Sequence, residues 1–231
     1  MLILALETAT ESVGVAIGTS DGPMASVEVA RGRRHTETLV PAVEFVCRQA
    51  DVALAEVTSV AVDIGPGLFT GMRVGIATAK AFAMALDVPI APVSSLDVLA
   101  CGVGDTDRVV VPVVDTRKGE VAWSMVRMVH GRIEQLMEPV IGPVEDLVAD
   151  MMARDQPSVC VGDGAARYRD EITAGVNCEV AGPVQPSPVA LLAAAVAMAT
   201  DEAVCAPHLV EPMYLRAPDA TINWATRQVR P

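Results

Sequence analysis

A duplicated α/β architecture follows from three features of the 231-residue sequence. Two apolar runs close on an acid and a threonine: "LILALET" on Glu7-Thr8 and "RVVVPVVDT" on Asp115-Thr116. Each is followed by a turn and further strand-like segments. Helical periods come next in both halves, so strands and helices interleave as α/β folds require. The segment "GVGDTD" around Gly102 to Asp107 breaks the pattern and separates the halves. The expected lobes are residues 1–103 and 104–231, with the tail free to pack back on the first.

The elements follow in order. "MLILALET" is a buried strand, and "SVGVAIGT" and "MASVEVA" flank the turn "SDGP" as an antiparallel meander. Leu39, Val43, Val46, Cys47 and Ala50 repeat at a helical period, predicting a helix over Thr38 to Ala50. Pro41 fits there only if it falls in the first turn, where no intrahelical N–H bond is lost. "VTSVAVDIG" is a second apolar strand, and Phe69 to Leu86 a second long helix. "VPIAPV" is a short strand leading to a helix capped by Ser95. The second half gives the strands "RVVVPVVDT" and "VAWSMVRMV" around "RKGE", an acidic helix at "GPVEDLVADMMARD" and a strand at "SVCVGDGAARY". It closes on a helix from the Ser187 cap and Pro188 to about Ala203, then a Pro-rich irregular tail.

Composition excludes several classes. The formal net charge is −12 and aromatics are 3%, so aliphatic side chains must fill the core. A chain that grips a polyanion unaided shows a basic face, because phosphate contacts dominate nucleic-acid affinity. Unless Arg31, Arg33 and Arg34 form a lone patch, the chain is not expected to hold RNA by itself. The five cysteines are scattered, with no CxxC and no neighbouring His at metal spacing. They read as free thiols of a reducing cytoplasm. The N-terminus lacks a basic leader region, and the longest apolar run, Val189 to Ala199, is too short to span a bilayer. No membrane association is expected.

The motifs that could carry chemistry are incomplete. Actin-like phosphotransferases hold metal and phosphate where a strand ends in an acid and a glycine turn follows. Here the acid is Glu7 and the turn reads Thr8-Ala9-Thr10, so Ala9 places a Cβ where close approach is wanted. The matching turn after Asp115 carries Arg117 and Lys118. A working ATP site is disfavoured, and Glu7 is read as an acceptor for the N–H groups of its own turn. "GPGLFTGMR" is not a Walker loop, although its free N–H groups at a helix start could hold an anion weakly. His35 lacks a second His at position 39, which is Leu39, so no metal is expected. No nucleophile elbow is present.

The helix after that loop is apolar on nearly every side. Gly71, Gly75, Ala79 and Ala83 form a small-residue stripe every four positions. Two helical glycines cost about 1 kcal/mol each against alanine, so close packing should offset them. Whether the stripe meets the chain's own sheet or another protein stays open. Met72, Ile76 and Lys80, with Phe69 beside them, form an adjoining face expected to protrude.

Seven segments in order, "LALETATESVGVAI", "RRHTETLVPAVE", "VDIGPGLFTGMRVGIATAKAFA", "PVSSLDVLA", "VVDTRKGEVAW", "GDGAARY" and "PMYLRAPDA", resemble the bacterial TsaB (YeaZ) family over nearly the whole chain. The resemblance implies an actin-like (ASKHA) fold of two RNase H-like lobes. It implies a non-catalytic partner of TsaD, the transferase that makes threonylcarbamoyladenosine beside the tRNA anticodon, with the ATPase TsaE joining the pair. A homodimer is the alternative pairing when the chain is alone, and a nucleotide at the partner junction is possible. No cofactor and no catalytic residue are expected in this chain. Carried onto this sequence, the family's contact helices are Thr38 to Ala50 and Phe69 to Leu86. Leu39, Val43, Phe69, Met72, Arg73, Ile76 and Lys80 are then the expected partner-facing residues. The runner-up is a self-sufficient actin-like ATPase or kinase using Glu7 and Asp115.

Overall fold

The apolar runs of the sequence form the middle of two five-stranded mixed sheets in a computed structural model. It describes residues 1–30, 32, 34–117, 119–200 and 203–215. The first sheet contains β1 (Ile3–Glu7), β2 (Val13–Thr19), β3 (Gly22–Val29), β4 (Ser59–Asp63) and β5 (Ile90–Val93), in the order β3-β2-β1-β4-β5. β1 pairs antiparallel with β2 and parallel with β4, which is parallel to β5. The second sheet contains β6 (Val109–Arg117), β7 (Glu120–Val129), β8 (Arg132–Pro143), β9 (Ser158–Val161) and β10 (Cys178–Val180), in the order β10-β9-β6-β7-β8. Replacing each strand by the one five places later reproduces the first order. This repeat is the duplicated RNase H-like arrangement of the actin-like fold.

β1 is buried along its whole length because both faces are covered. With a period of two, Leu4 and Leu6 point to one core beneath α1 (His35–Ala50) and α2 (Phe69–Leu86), while Ile3 and Ala5 point to another beneath α7 (Pro188–Thr200). Small residues dominate the second face: Ala5, Ala16, Ala61 and Ala91 meet Ala190, Ala194 and Ala195, so helix and sheet approach closely. The division at residue 103 therefore fails for α7. That helix follows the second sheet in sequence but packs on the first, where its apolar residues find an uncovered face.

The segment after α7 also lies on the first lobe: Cys205 bridges antiparallel to Ile90, and the Met213 N–H donates to the Ile64 carbonyl at 2.8 Å. α3 (Ser95–Cys101) completes the join, its Leu96 and Leu99 packing with Val110, Val126 and Val159 of the second sheet.

Several local expectations change. α1 begins at His35, so Pro41 stands in the helix interior. It lies on an exposed side, where water can take the Glu37 carbonyl that loses its donor. The cap of α3 is Ser94, whose hydroxyl accepts the Asp97 N–H at 3.0 Å, and Ser95 serves elsewhere. The segment "GDGAARY" is helical, as α5 (Asp163–Arg167), after a strand that ends at Val161. α4 (Val144–Arg154) and the Ser187 cap of α7 agree with the sequence reading. α6 (Arg169–Thr173), β8 and β10 are additional. β8 is a polar edge strand, so its alternation is masked by Glu, Gln and Arg. Its hairpin turn His130-Gly131, with both φ positive (53° and 71°), is the readable signal.

Arg31, Arg33, Lys118 and residues 216–220 of the family-like segments lie outside the described residues.

Candidate functional site

The carboxyl ends of β1 and β4 converge under the starts of α1 and α2. Glu7, the last residue of β1, is 1% exposed, and its Oε1 accepts the Ala9 N–H at 2.8 Å. That is the turn-closing role read from the sequence. Asp63, the last residue of β4, is fully buried, and its Oδ1 accepts the Gly65 N–H at 2.7 Å and the Ser95 hydroxyl at 2.6 Å. The remaining oxygens, Glu7 Oε2 and Asp63 Oδ2, are buried without a hydrogen-bond partner among the described residues, and the two acids are electrostatically linked. Two buried carboxylates in contact cannot both ionise, so the pair shares a proton. Burial first, and the Asp63 charge second, push Glu7 well above the usual carboxylate range. Asp63 also rises through burial, but the bonds from Glu7, Ser95 and Gly65 oppose the rise. The pair therefore keeps a proton, and Glu7 is the more strongly raised of the two.

The turn after Glu7 is filled by the chain itself. The Leu68 N–H donates to the Ala9 carbonyl at 2.6 Å, and the Thr8 hydroxyl donates to the Gly71 carbonyl at 2.9 Å. His35 Nε2 lies 2.9 Å from the Thr10 carbonyl, which anchors the start of α1. The glycines explain this closeness. A Cβ on Gly67 would sit 2.3 Å from the Ala9 carbonyl oxygen. One on Gly71 would sit 2.1 Å from that of Thr8, and one on Gly75 2.1 Å from the Thr8 hydroxyl. Ala79 and Ala83 continue the same buried face. The small-residue stripe thus meets the chain's own sheet and first turn.

That packing corrects four of the seven expected partner residues. Leu39 (1% exposed), Val43 (2%), Met72 (3%) and Ile76 (5%) are buried. Leu39, Val43 and Ile76 join the core between α1, α2 and the sheet, and Met72 covers Gly65. Met72 and Ile76 each follow a stripe glycine by one residue, about 100° around the helix, which keeps them on its inward half. Phe69 and Arg73 remain exposed, and Lys80 is half-buried.

The outward face is carried by different residues. On α1 these are Val40, Pro41 and Phe45, with Glu44 and Arg48 beside them; on α2 they are Arg73, Ala77, Ala81 and Met84. Met84 is 72% exposed. At one end of α2, Arg73 lies over the Phe69 ring, 3.9 Å from its centroid, and donates from Nε to the Tyr214 hydroxyl at 3.0 Å. Tyr214 stands 5.8 Å from Phe69, ring to ring. The signal for Val40 and Phe45 was present in the sequence, since they fall off the buried period Leu39, Val43, Val46. Asp63 was also legible as a second acid ending an apolar strand. Tyr214 was not.

The second lobe handles its acid differently. Asp115 accepts the Arg117 N–H at 2.9 Å and pairs with Arg167 of α5 at 2.7 Å. Its own N–H donates to Asp163 at 2.9 Å. Arg117, with φ 65°, reaches 3.7 Å from Glu11 in the first lobe's turn and so links the lobes. Glu7, Asp63 and Asp115 each accept a hydrogen bond from the chain's own backbone. Among the described residues, no group of three or more His, Cys, Asp or Glu side chains converges as metal ligands, and no helix is long and apolar enough to cross a membrane.

Comparison with known proteins gives a consistent result. The family model described as TsaD, tRNA N6-adenosine threonylcarbamoyltransferase, matches residues 28–224. The chain is 27% identical to the tRNA threonylcarbamoyladenosine biosynthesis protein TsaB of Bacillus subtilis, over 99% of this chain and 100% of that one. It is 32% identical to an uncharacterized protein of Mycobacterium tuberculosis, over 94% of this chain and 93% of the other. A crystal structure from Pseudomonas aeruginosa, of an uncharacterized protein with similarity to peptidase YeaZ, superposes with a TM-score of 0.82 at 26% identity. It covers 93% of this chain and 99% of that one.

Proposed function

The chain belongs to the TsaD-type family, within it to the TsaB (YeaZ) group, and from that premise we propose that it is a non-catalytic subunit in the biosynthesis of tRNA threonylcarbamoyladenosine. It binds a TsaD-type transferase and activates it, and a TsaE-type ATPase joins the pair. The observation that carries this reading is a contrast within one lobe. Glu7 and Asp63 are consumed by each other and by the chain's own turns, whereas α1 and α2 turn Val40, Phe45, Ala77, Ala81 and Met84 outward. An apolar face on two adjacent helices is suited to packing against helices of a partner. Phe69, Arg73 and Lys80 belong to the same proposal at its edge. The net charge of −12 supports tRNA binding through the partner only, in the cytoplasm.

Met84→Asp tests the face. It should abolish co-purification with the organism's TsaD while changing the chain's own stability by less than about 0.5 kcal/mol, as for other exposed sites. Retained binding in both Met84→Asp and Phe45→Asp would sink the assignment of this face. Ile76→Asp is unsuited to the purpose, because Ile76 is a core residue and a buried unpaired charge unfolds the chain. A self-sufficient ATPase is the competing class, and a purely homodimeric binding protein the third. Magnesium-dependent ATP hydrolysis by the isolated chain, lost in Asp115→Ala, would establish the ATPase. Failure to pair with TsaD, together with a stable dimer, would establish the homodimer.

A further inference from the structure

α2 is a cationic helix in an acidic chain. The whole sequence holds 29 acids against 17 lysines and arginines, yet the only charged residues from Phe69 to Leu86 are Arg73 and Lys80. Their spacing is about two turns, or 10 Å along the axis, so they share one side of the helix. Among the described residues neither forms an ion pair. α1, the other half of the outward face, balances its own charges. Arg34 lies 3.9 Å from Glu37, and Glu44 precedes Arg48 by one turn.

The C-terminal segment builds the edge of α2 that carries Arg73. From the bridge to Ile90, the chain passes through a 3₁₀ turn, Pro207–Leu209, that packs on α2. Val210, 1% exposed, pins the segment to the first core, and Met213 is bonded to Ile64. Tyr214 then reaches Arg73. The guanidinium is held between the Phe69 ring, 3.9 Å from its centroid, and the Tyr214 hydroxyl, 3.0 Å from Nε. With Nε engaged, the remaining N–H groups form a planar fork that matches a carboxylate bidentately. Glu211, the acid of this segment, pairs with neither cation. A side chain fixed before contact loses less entropy on binding.

We propose that Arg73, oriented by Tyr214 and Phe69, takes a side-chain carboxylate of the transferase partner, and that Lys80 meets a second acid about two turns away. This rests on the function proposed above and adds the chemistry of the partner's surface. The fork stands among Phe69, Tyr214 and Ala77, exposed aromatic and apolar side chains that suit a protein interface. A polyanion requires a broader basic field than two cations in a chain of net charge −12. Tyr214 is a positioning residue, since it acts through Arg73.

Titration calorimetry of the full chain with the organism's TsaD, at low and high salt, tests the pairing. Arg73→Lys keeps the charge but loses the fork and the bond to Tyr214, and should weaken binding about tenfold. Arg73→Glu should weaken it about a hundredfold, with a smaller loss at high salt. Tyr214→Phe keeps the ring and should weaken binding about threefold alone, but not at all in the Arg73→Lys background. The three altered sites are exposed, so melting temperatures should match the parent's. Additive losses would remove the positioning role of Tyr214. Parental TsaD affinity in both Arg73 variants, while Met84→Asp abolishes binding, would overturn this inference and leave the proposed function standing. Parental affinity in Met84→Asp and Phe45→Asp as well would overturn both. Parental TsaD affinity joined to weaker self-association, or to weaker tRNA binding by the pair, would assign Arg73 to a second copy or to RNA, and equally overturn the inference.

Discussion

Glu7 and Asp115 occupy equivalent places, near the end of the middle strand of each sheet, in opposite surroundings. Each has a second acid from the neighbouring parallel strand or its exit: Asp63 for Glu7, Asp163 for Asp115. In the second lobe, Arg167 from the short α5 neutralises Asp115, and Asp163 binds a backbone N–H. Charge is met by charge near the surface. In the first lobe the loop Gly65–Leu68 and the start of α2 cover the acids, and among the described residues neither acid forms a salt bridge. The pair must keep a proton instead. The same strand-acid-turn pattern thus yields an ion pair in one lobe and a protonated carboxyl in the other, and the cover over the strand decides which.

Forcing that cover open should produce the largest effect. Gly71→Ala drives a Cβ against the Thr8 carbonyl, a backbone atom that cannot swing away. The helix gains about 1 kcal/mol of intrinsic propensity, but overpacking should dominate and cost about 3 kcal/mol net, read as a lowered urea midpoint. An unchanged midpoint would mean that the loop and turn are not in contact.

Truncating the two acids compares the lobes directly. Glu7→Ala strands the buried Ala9 N–H and breaks the acid pair, a loss of about 2 kcal/mol. Asp115→Ala removes a pair whose arginine is largely solvated, so its urea midpoint should move much less. Equal losses would erase the distinction between the lobes.

The smallest effect is the most specific to Glu7. Its folded value lies above the ordinary 4.5. Between those two values the folded chain holds a proton that the unfolded chain has released, so stability declines as pH rises through that window and is greatest below it. Glu7→Gln stays neutral. The variant should show a flatter dependence of melting temperature on pH above about 4.5. An identical slope in both proteins would place the charge elsewhere.

Much of this was legible in the residues. The runs ending at Glu7-Thr8 and Asp115-Thr116 marked both middle strands, and Phe69 to Leu86 became a helix with the bounds read from its pattern. The capping of α3 was read one residue late because Ser94 and Ser95 are chemically equal candidates. Only the fold separates them, giving Ser94 to the helix and Ser95 to Asp63.

Sequence alone determined the two-lobe repeat, the glycine-bearing loop and the stripe on α2, because these depend on local backbone preference and on side-chain period. Tertiary structure decided which way that stripe faces, that α7 returns to the first sheet, and that Glu7 rises above the usual carboxylate range. Period places residues on a common side of a helix or strand but does not fix the direction of that side. Direction and ionisation depend on what covers the residue, and here the cover comes from segments distant in the chain, as in the bond from Thr8 to Gly71, 63 residues on.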